Sequence, residues 1–215
     1  MTMYRSFRVF VSAAAFALAA TTVPSNASAS PEAEADAVRL SAAGRTLKWN
    51  WTPPGQSKPF GHAEAVIGAP LATVRQVVLD FERYPSFASS RFKVARVVKR
   101  DAGNTEVYMQ FSVLHGLLKL WHVTRFAPPR AAGAGTEIIE GTFVRGNIKD
   151  ARTSWTLREV DANTTVLKAD ILLTPDIPAP QSALDEELRD AAQQAVDGVR
   201  EKSQGHNRQI TWARP

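Results

Sequence analysis

Apolar and polar positions change their period several times along this chain. Ser30-Pro31-Glu32 opens a short helix that runs to about Ala43: a capping residue, a proline in the first turn, then acids near the positive end of the helix dipole. Gly44 stops it. From Arg45 to Trp51, Leu47, Trp49 and Trp51 alternate with polar residues as in a half-buried strand. A second extended stretch, Gly61 to Ile67, follows the turn at Pro53-Pro54-Gly55. Gly68-Ala69-Pro70 ends that strand and opens a helix, because proline fits a first turn but cannot sit in a ladder. Its apolar residues, at 71, 74, 77, 78 and 81, keep a helical spacing. Pro85 breaks the chain before another short helical piece near Ser86 to Ser90.

Beyond Phe92 the period shortens to two. Strands are predicted over Phe92 to Arg100, Thr105 to Leu114, Leu118 to Phe126, Thr136 to Val144, Arg152 to Val160 and Thr165 to Leu173. Turn residues at 101–104, 145–147 and 161–163 separate three of the pairs, and a loop of small residues covers 127–135. In the second strand Val107, Met109, Phe111 and Val113 share one face. A proline-rich joint, Thr174 to Pro180, leads into a helix from about Ser182 to Lys202. Leu184, Leu188, Ala191, Ala195 and Val199 make its single apolar stripe. Large side chains are scarce on that stripe, so the helix must lie close to whatever it covers. Residues 204–215 read as a flexible tail.

Strand, two short helices, a long antiparallel meander and a final amphipathic helix form an α+β pattern. A meander of this length must curl, and only the last helix is long enough to roof its concave face. A curved sheet gripping one helix leaves room for an apolar cavity.

The stretch from Ile67 to Ala88 carries Ala69-Pro70, Val74, Asp80, Tyr84-Pro85 and Phe87. A second block carries Gly141 and Phe143, Trp155 and Leu157, Thr165 and Leu167, then Pro175 and Pro178 before the last helix. In order and spacing these resemble the START/SRPBCC superfamily, the helix-grip fold shared with the birch-pollen allergen. Within it the chain is most similar to the polyketide cyclase/dehydrase and coenzyme-Q-binding START-like group. The resemblance implies a helix-grip fold over residues 60–203, with 30–59 as an N-terminal helix and strand extension. It also implies a hydrophobic small-molecule partner: a lipid, a quinone or a polyketide-like compound. Two other classes stay open, a polyketide cyclase or aromatase, and a protein-interaction module with a filled core and exposed Trp49, Trp51 and Trp212.

Composition narrows this picture. The 215 residues are 44% hydrophobic and 22% charged, which excludes wholesale disorder. Cysteine is absent, removing disulfides, thiolate metal sites and lipoprotein anchoring. Arg5 and Arg8 precede an uncharged run, Val9 to Ala20, and Ala27-Ser28-Ala29 completes the pattern of a secretory signal, with cleavage expected after Ala29. Such a leader implies a periplasmic or secreted protein. The apolar run is shorter than the roughly 20 residues of a membrane span. Without the leader, 24 basic residues face 21 acidic ones and the net charge falls from +5 to +3. The basic residues are scattered, so nucleic acid is rejected as a partner. Transient membrane contact is compatible with an apolar ligand, and oligomeric state is left open.

Recognisable catalytic chemistry is missing. No G-x-S-x-G elbow, H-E-x-x-H pair or phosphate-binding glycine loop occurs, so no catalytic residue, cofactor or metal is assigned. A zinc pair from His115 and His122 would lack a third ligand. The ligand-facing set expected from strand alternation is Met109, Phe111, Val113, Phe143, Trp155, Leu157, Leu167, Ala169 and Ile171, with Leu188 and Ala195 from the roof helix. Trp121 and Arg125 share a face of their strand. If that face points inward, Arg125 would offer a cation to a ligand carboxylate, phosphate or enolate. The simpler reading turns Arg125 outward into a cross-strand pair with Glu137 or Glu140, because buried unpaired arginine is rare. Tyr108, with Arg145 or Arg152, would serve a cyclase, but it too can be a surface aromatic.

Overall fold

The computed structural model of the chain describes residues 30–88, 92–113, 118–178 and 180–212. The leader, with its expected cleavage after Ala29, lies outside the described residues. Helix α1 (Pro31–Ala43) is capped by Ser30, whose hydroxyl accepts from the Ala33 amide at 3.2 Å, and ends at Gly44 with φ 62°. Strands β1 (Leu47–Trp51) and β2 (Phe60–Ile67) follow. Next come α2 (Leu71–Leu79), a single 3₁₀ turn at Phe81–Arg83 and the four-residue α3 (Tyr84–Phe87). The meander is β3 (Phe92–Asp101), β4 (Asn104–Val113), β5 (Leu118–Phe126), the two-residue β6 (Arg130–Ala131), β7 (Thr136–Gly146), β8 (Ile148–Asp161) and β9 (Thr164–Pro175), closed by α4 (Gln181–Trp212).

All pairings among the described strands are antiparallel, in the order β1-β2-β9-β8-β7-β5-β4-β3, with β6 beside β7. Bulges interrupt the β3–β4, β5–β7 and β8–β9 ladders, and each adds bend and twist to its strand. Two glycines of β7 permit crowding at the bend. A side chain at Gly141 would overlap the Phe126 ring, and one at Gly146 the backbone of Trp121.

Helix α4 packs on β2, β9 and β1. Leu188, Ala192, Ala195, Val196 and Val199 are its buried apolar residues, set against Ala63, Ala65, Leu167 and Ala169 of the sheet. The small side chains bring backbones together: a Cβ at Gly61 would strike the Leu188 carbonyl, and one at Gly198 the Phe87 carbonyl. The helix runs on through Trp212, beyond the end near Lys202 expected from its apolar stripe. No proline interrupts it, and each of its two glycines, Gly198 and Gly205, costs only about 1 kcal/mol once a helix is propagating.

The N-terminal extension works on both faces of the sheet. Ala37 and Leu40 of α1 cover Val66 and Val166 on the face turned away from α4. Around that contact Arg39 pairs with Glu64 at 2.6 Å, and Asp36 with Lys168 and Arg158 at 2.6 and 3.1 Å. Burial would raise the Glu64 carboxyl, but His62, Arg39 and Lys168 hold it down to about 2. On the other face, Thr46, Lys48 and Asn50 hydrogen-bond Asp197, Asp190 and the Asp185 carbonyl of α4.

Gly198→Val should cost about 1–3 kcal/mol of stability through overpacking, read as a lower denaturant midpoint with an unchanged m-value. Gly205→Ala, where no neighbour lies within 4 Å, should cost nothing.

Candidate functional site

The turn after α2 sets one wall of a cavity. Burial of Phe81 against Phe126 (ring centroids 4.4 Å apart) folds the chain back, and the Tyr84 hydroxyl donates to the Val78 carbonyl at 2.6 Å. That carbonyl, near the C-terminus of α2, would otherwise lack a partner. This bond accounts physically for a tyrosine at that distance from the helix. Burial pushes the Tyr84 phenol well above its ordinary range, with the Asp80 charge adding to it.

Because α4 leans on the β1–β2–β9 side, it leaves part of the concave surface of β4, β5 and β8 uncovered. The space between them is a cavity of about 450 Å³, within the range of small-molecule sites. Met109, Phe111, Trp155 and Ile171 line it from the sheet, and Leu188 and Ala195 from α4. Ile177, Pro178 and Pro180 of the proline-rich joint, with Ala183 and Glu186, border it while exposed, so the mouth opens there. The loop at 127–135 does not border it.

The remaining expected residues lie elsewhere. Leu157, Leu167 and Ala169 are fully buried core that does not reach the cavity. Phe143 packs half-buried against the neighbouring cluster of Leu120, Ile148 and Ala151. The side chain of Val113 lies outside the described residues. Trp121 and Arg125 require correction, because they face away from the cavity. Trp121 stacks on Tyr108 at 5.8 Å, and Arg125 pairs with Glu106 at 2.6 Å, half exposed. Glu137 and Glu140 pair instead with Arg75 and Arg130. Arg145 and Arg152 are also exposed, so the residues proposed for a cyclase stand outside the cavity. A separate polar recess of about 140 Å³ is lined by that ion pair together with Lys99 and Asp101.

Register explains the correction. Met109 pairs with His122 and Phe111 with Leu120, which puts Leu120, His122, Thr124 and Phe126 on the inner face of β5. A one-residue change of phase turns every side chain over. Leu120, His122 and Phe126 therefore line the cavity, and reasoning from β5 alone misses them. The signal was present in the β4 stripe, since β5 must match it across the hairpin.

His122 is the unusual member of the lining. It is 5% exposed, its ring lies 5.1 Å from that of Phe111, and its Nδ1 has no hydrogen-bond partner. Burial lowers its pKa to about 4, so the imidazole is neutral near pH 7. The buried Trp155 indole N–H also lacks a hydrogen bond of good geometry, although it tempers the nearby Tyr84 hydroxyl. Among the described residues no group of three His, Asp or Glu could hold a metal ion, and no helix is long and apolar enough to cross a membrane.

Curved sheet, gripped helix and cavity together define a helix-grip protein, and comparison with known proteins agrees. The family described as polyketide cyclase / dehydrase and lipid transport matches residues 67–200, and the chain belongs to it. A STAR-related lipid transfer protein from Xanthomonas axonopodis superposes with a TM-score of 0.63 at 15% identity, covering 74% of this chain and 93% of that one. Human STARD10 gives 0.63 at 14% identity, covering 78% and 73%. The di-domain aromatase/cyclase StfQ of steffimycin biosynthesis gives 0.50 at 20% identity, covering 69% of this chain and 46% of that one. A search of curated protein sequences finds no match.

The His122 pKa has a consequence for stability. Its folded value lies below the unfolded one, so the unfolded chain takes up the proton first. Stability should therefore fall as pH drops from about 6.5 towards 4. In histidine NMR spectra one ring should titrate near 4, and His122→Phe should remove both that signal and its share of the acid-induced loss.

Proposed function

We propose that this protein binds and carries a hydrophobic small molecule in the cavity between β4, β5, β8 and α4. The observation that carries the reading is the cavity itself: about 450 Å³, apolar over most of its lining, and opening at a proline-rich joint. Removing an apolar ligand from water into it would gain roughly 25 cal/mol per Å² of surface covered. The joint around Ile177 and Pro178, with an exposed apolar side chain at the mouth, would be the part that moves and that touches a lipid surface during exchange. Membership of a family that includes lipid transport supports carriage.

A cyclase reading has one observation in its favour, a neutral imidazole bordering the cavity. General bases work best with a pKa near the operating pH, and His122 at about 4 is a poor one. Carriage is therefore the better-supported function. We further propose that it operates outside the cytoplasm, on the strength of the leader pattern. Mature protein from the native host should begin at Ser30, and an intact Met1 terminus would exclude cleavage.

Protein purified from its native compartment should release a bound apolar compound on organic extraction, detected by mass spectrometry. Ala191→Trp, which fills the cavity from α4, should lose that compound at least tenfold while retaining the circular dichroism of the fold. An empty extract, together with no thermal shift across a panel of lipids and quinones, would refute the carrier function.

A further inference from the structure

Basic residues that are scattered in the sequence are gathered by the strand order onto one surface. Directly paired residues of neighbouring strands share a face of the sheet. Register places Arg96 of β3 opposite Tyr108 of β4, Tyr108 opposite Val123 of β5, and Val123 opposite Arg145 of β7. These make a single row across four strands. One neighbouring row holds Gln110 and Trp121, and the other holds Lys99, Glu106 and Arg125. This is the outer face, because Met109 and His122, which border the cavity, belong to the opposite one.

Helix α1 packs on β2, β8 and β9, whereas Arg96, Arg100, Lys119 and Arg145 of the other strands are exposed. The carboxylates of this part of the face are already engaged: Glu106 pairs with Arg125 at 2.6 Å and Asp101 with Lys99 at 3.1 Å. The four exposed cations are in excess of them. Towards β8 the balance is restored, with Glu140 on Arg130 and Asp150 on Arg152. The chain's net charge of +5, less the two arginines of the leader, is smaller than this local excess. Positive charge is therefore concentrated here.

Aromatic and apolar groups sit among the cations. Tyr108 and Trp121 stack with ring centroids 5.8 Å apart, and Val98 and Val144, at the bulges of β3 and β7, are exposed. A soluble polyanion needs only the cations. Amphipathic rings and short apolar side chains between them suit a layer of lipid headgroups. The face also runs up to the cavity mouth. The Asn147 side chain donates to the Lys119 carbonyl at 3.0 Å and accepts from the Trp121 amide at 2.8 Å. Two residues on, Lys149 reaches Asp176, beside Ile177, at 3.4 Å.

We propose that the outer face of β3, β4, β5 and β7 docks on a bilayer rich in anionic phospholipids. Arg96, Arg100, Lys119 and Arg145 meet the phosphates, and the Tyr108–Trp121 pair lies at headgroup level. Docking by this face brings the cavity mouth beside the bilayer, yet it does not depend on what the cavity holds.

Protein purified from its native host should co-sediment with phosphatidylcholine vesicles containing about 30% phosphatidylglycerol but not with phosphatidylcholine alone, and about 0.5 M salt should release it. Each basic residue near an anionic surface contributes about a fivefold factor in affinity, so Arg96→Glu with Arg145→Glu should weaken binding about twentyfold or more. Arg45→Glu with Lys202→Glu changes the net charge equally at exposed positions on other elements, and should weaken it less than about threefold. Brominated phosphatidylglycerol should quench tryptophan fluorescence; Trp121→Phe should remove that quenching and Trp51→Phe should leave it. The lipid and salt dependence of the unmodified protein decides the point even if a variant does not fold. Equal binding to both vesicles, binding to neither, equal loss in the two charge-reversed variants, or quenching that survives Trp121→Phe would overturn the proposal. Binding to heparin but not to vesicles would assign the face to a soluble polyanion and overturn it as well. The carried compound is measured separately by extraction, so none of these outcomes bears on the carrier function.

Discussion

The structure depends on how closely α4 approaches the rest of the chain. At Gly61 and at Gly198 two backbones meet where any side chain would intrude. Ala192, Ala195 and Val196 keep the spacing small between those points. A helix held at both places cannot also sit over the centre of the curved sheet. It lies along β2 and β9, and the concavity formed by β4, β5 and β8 is left partly unfilled beneath it. Phe111, Phe126, Trp155 and Ile171 are large, yet they border a space of about 450 Å³. The cavity thus follows from a packing constraint at one side of the helix, not from a shortage of apolar residues.

Residues 30–59 reinforce the same constraint. Their strand adds hydrogen bonds from Thr46, Lys48 and Asn50 to α4, fixing the helix from the edge of the sheet. Their helix seals the opposite face, over a contact in which Glu64, 2% exposed, is held ionised by Arg39, His62 and Lys168. A buried carboxylate of this kind adds little net stability but strongly disfavours arrangements in which its partners are absent. The extension acts as a brace on both faces of the sheet, and Lys58 ties it to Thr174 at the start of the proline-rich joint.

The cavity's chemistry is sparse, as befits binding more than turnover. Its phenol is tied to a backbone carbonyl and its imidazole is desolvated to the point of being a weak base. The charged candidates Arg125 and Arg152 are taken up by ion pairs on the outer surface, where each contributes at most about 1 kcal/mol. An apolar guest in such a site would be held mainly by the area it hides from water, with one or two polar contacts setting its orientation.

Much of this was legible in one dimension. Capping residues, prolines and the change of period located the elements except the 3₁₀ turn at Phe81–Arg83 and the two-residue β6, with α3 expected about two residues late, and the chain order of those elements pointed to a helix-grip architecture. Met109, Phe111, Trp155, Ile171 and Leu188, which border the cavity, stood out because their strands or helix are apolar on one face only. The phase of β5 was not legible from β5 alone. Leu120 and Phe126 lie on one of its faces and Trp121 and Val123 on the other, so alternation is silent until pairing with β4 chooses between them. Nor could a stripe of apolar residues separate Trp155, which meets the void, from Leu157, which meets its neighbours. Local pattern determines which side chains leave water. Whether they then touch one another or enclose a space depends on the distance between a helix and a sheet far apart in sequence, which only the assembled tertiary structure sets.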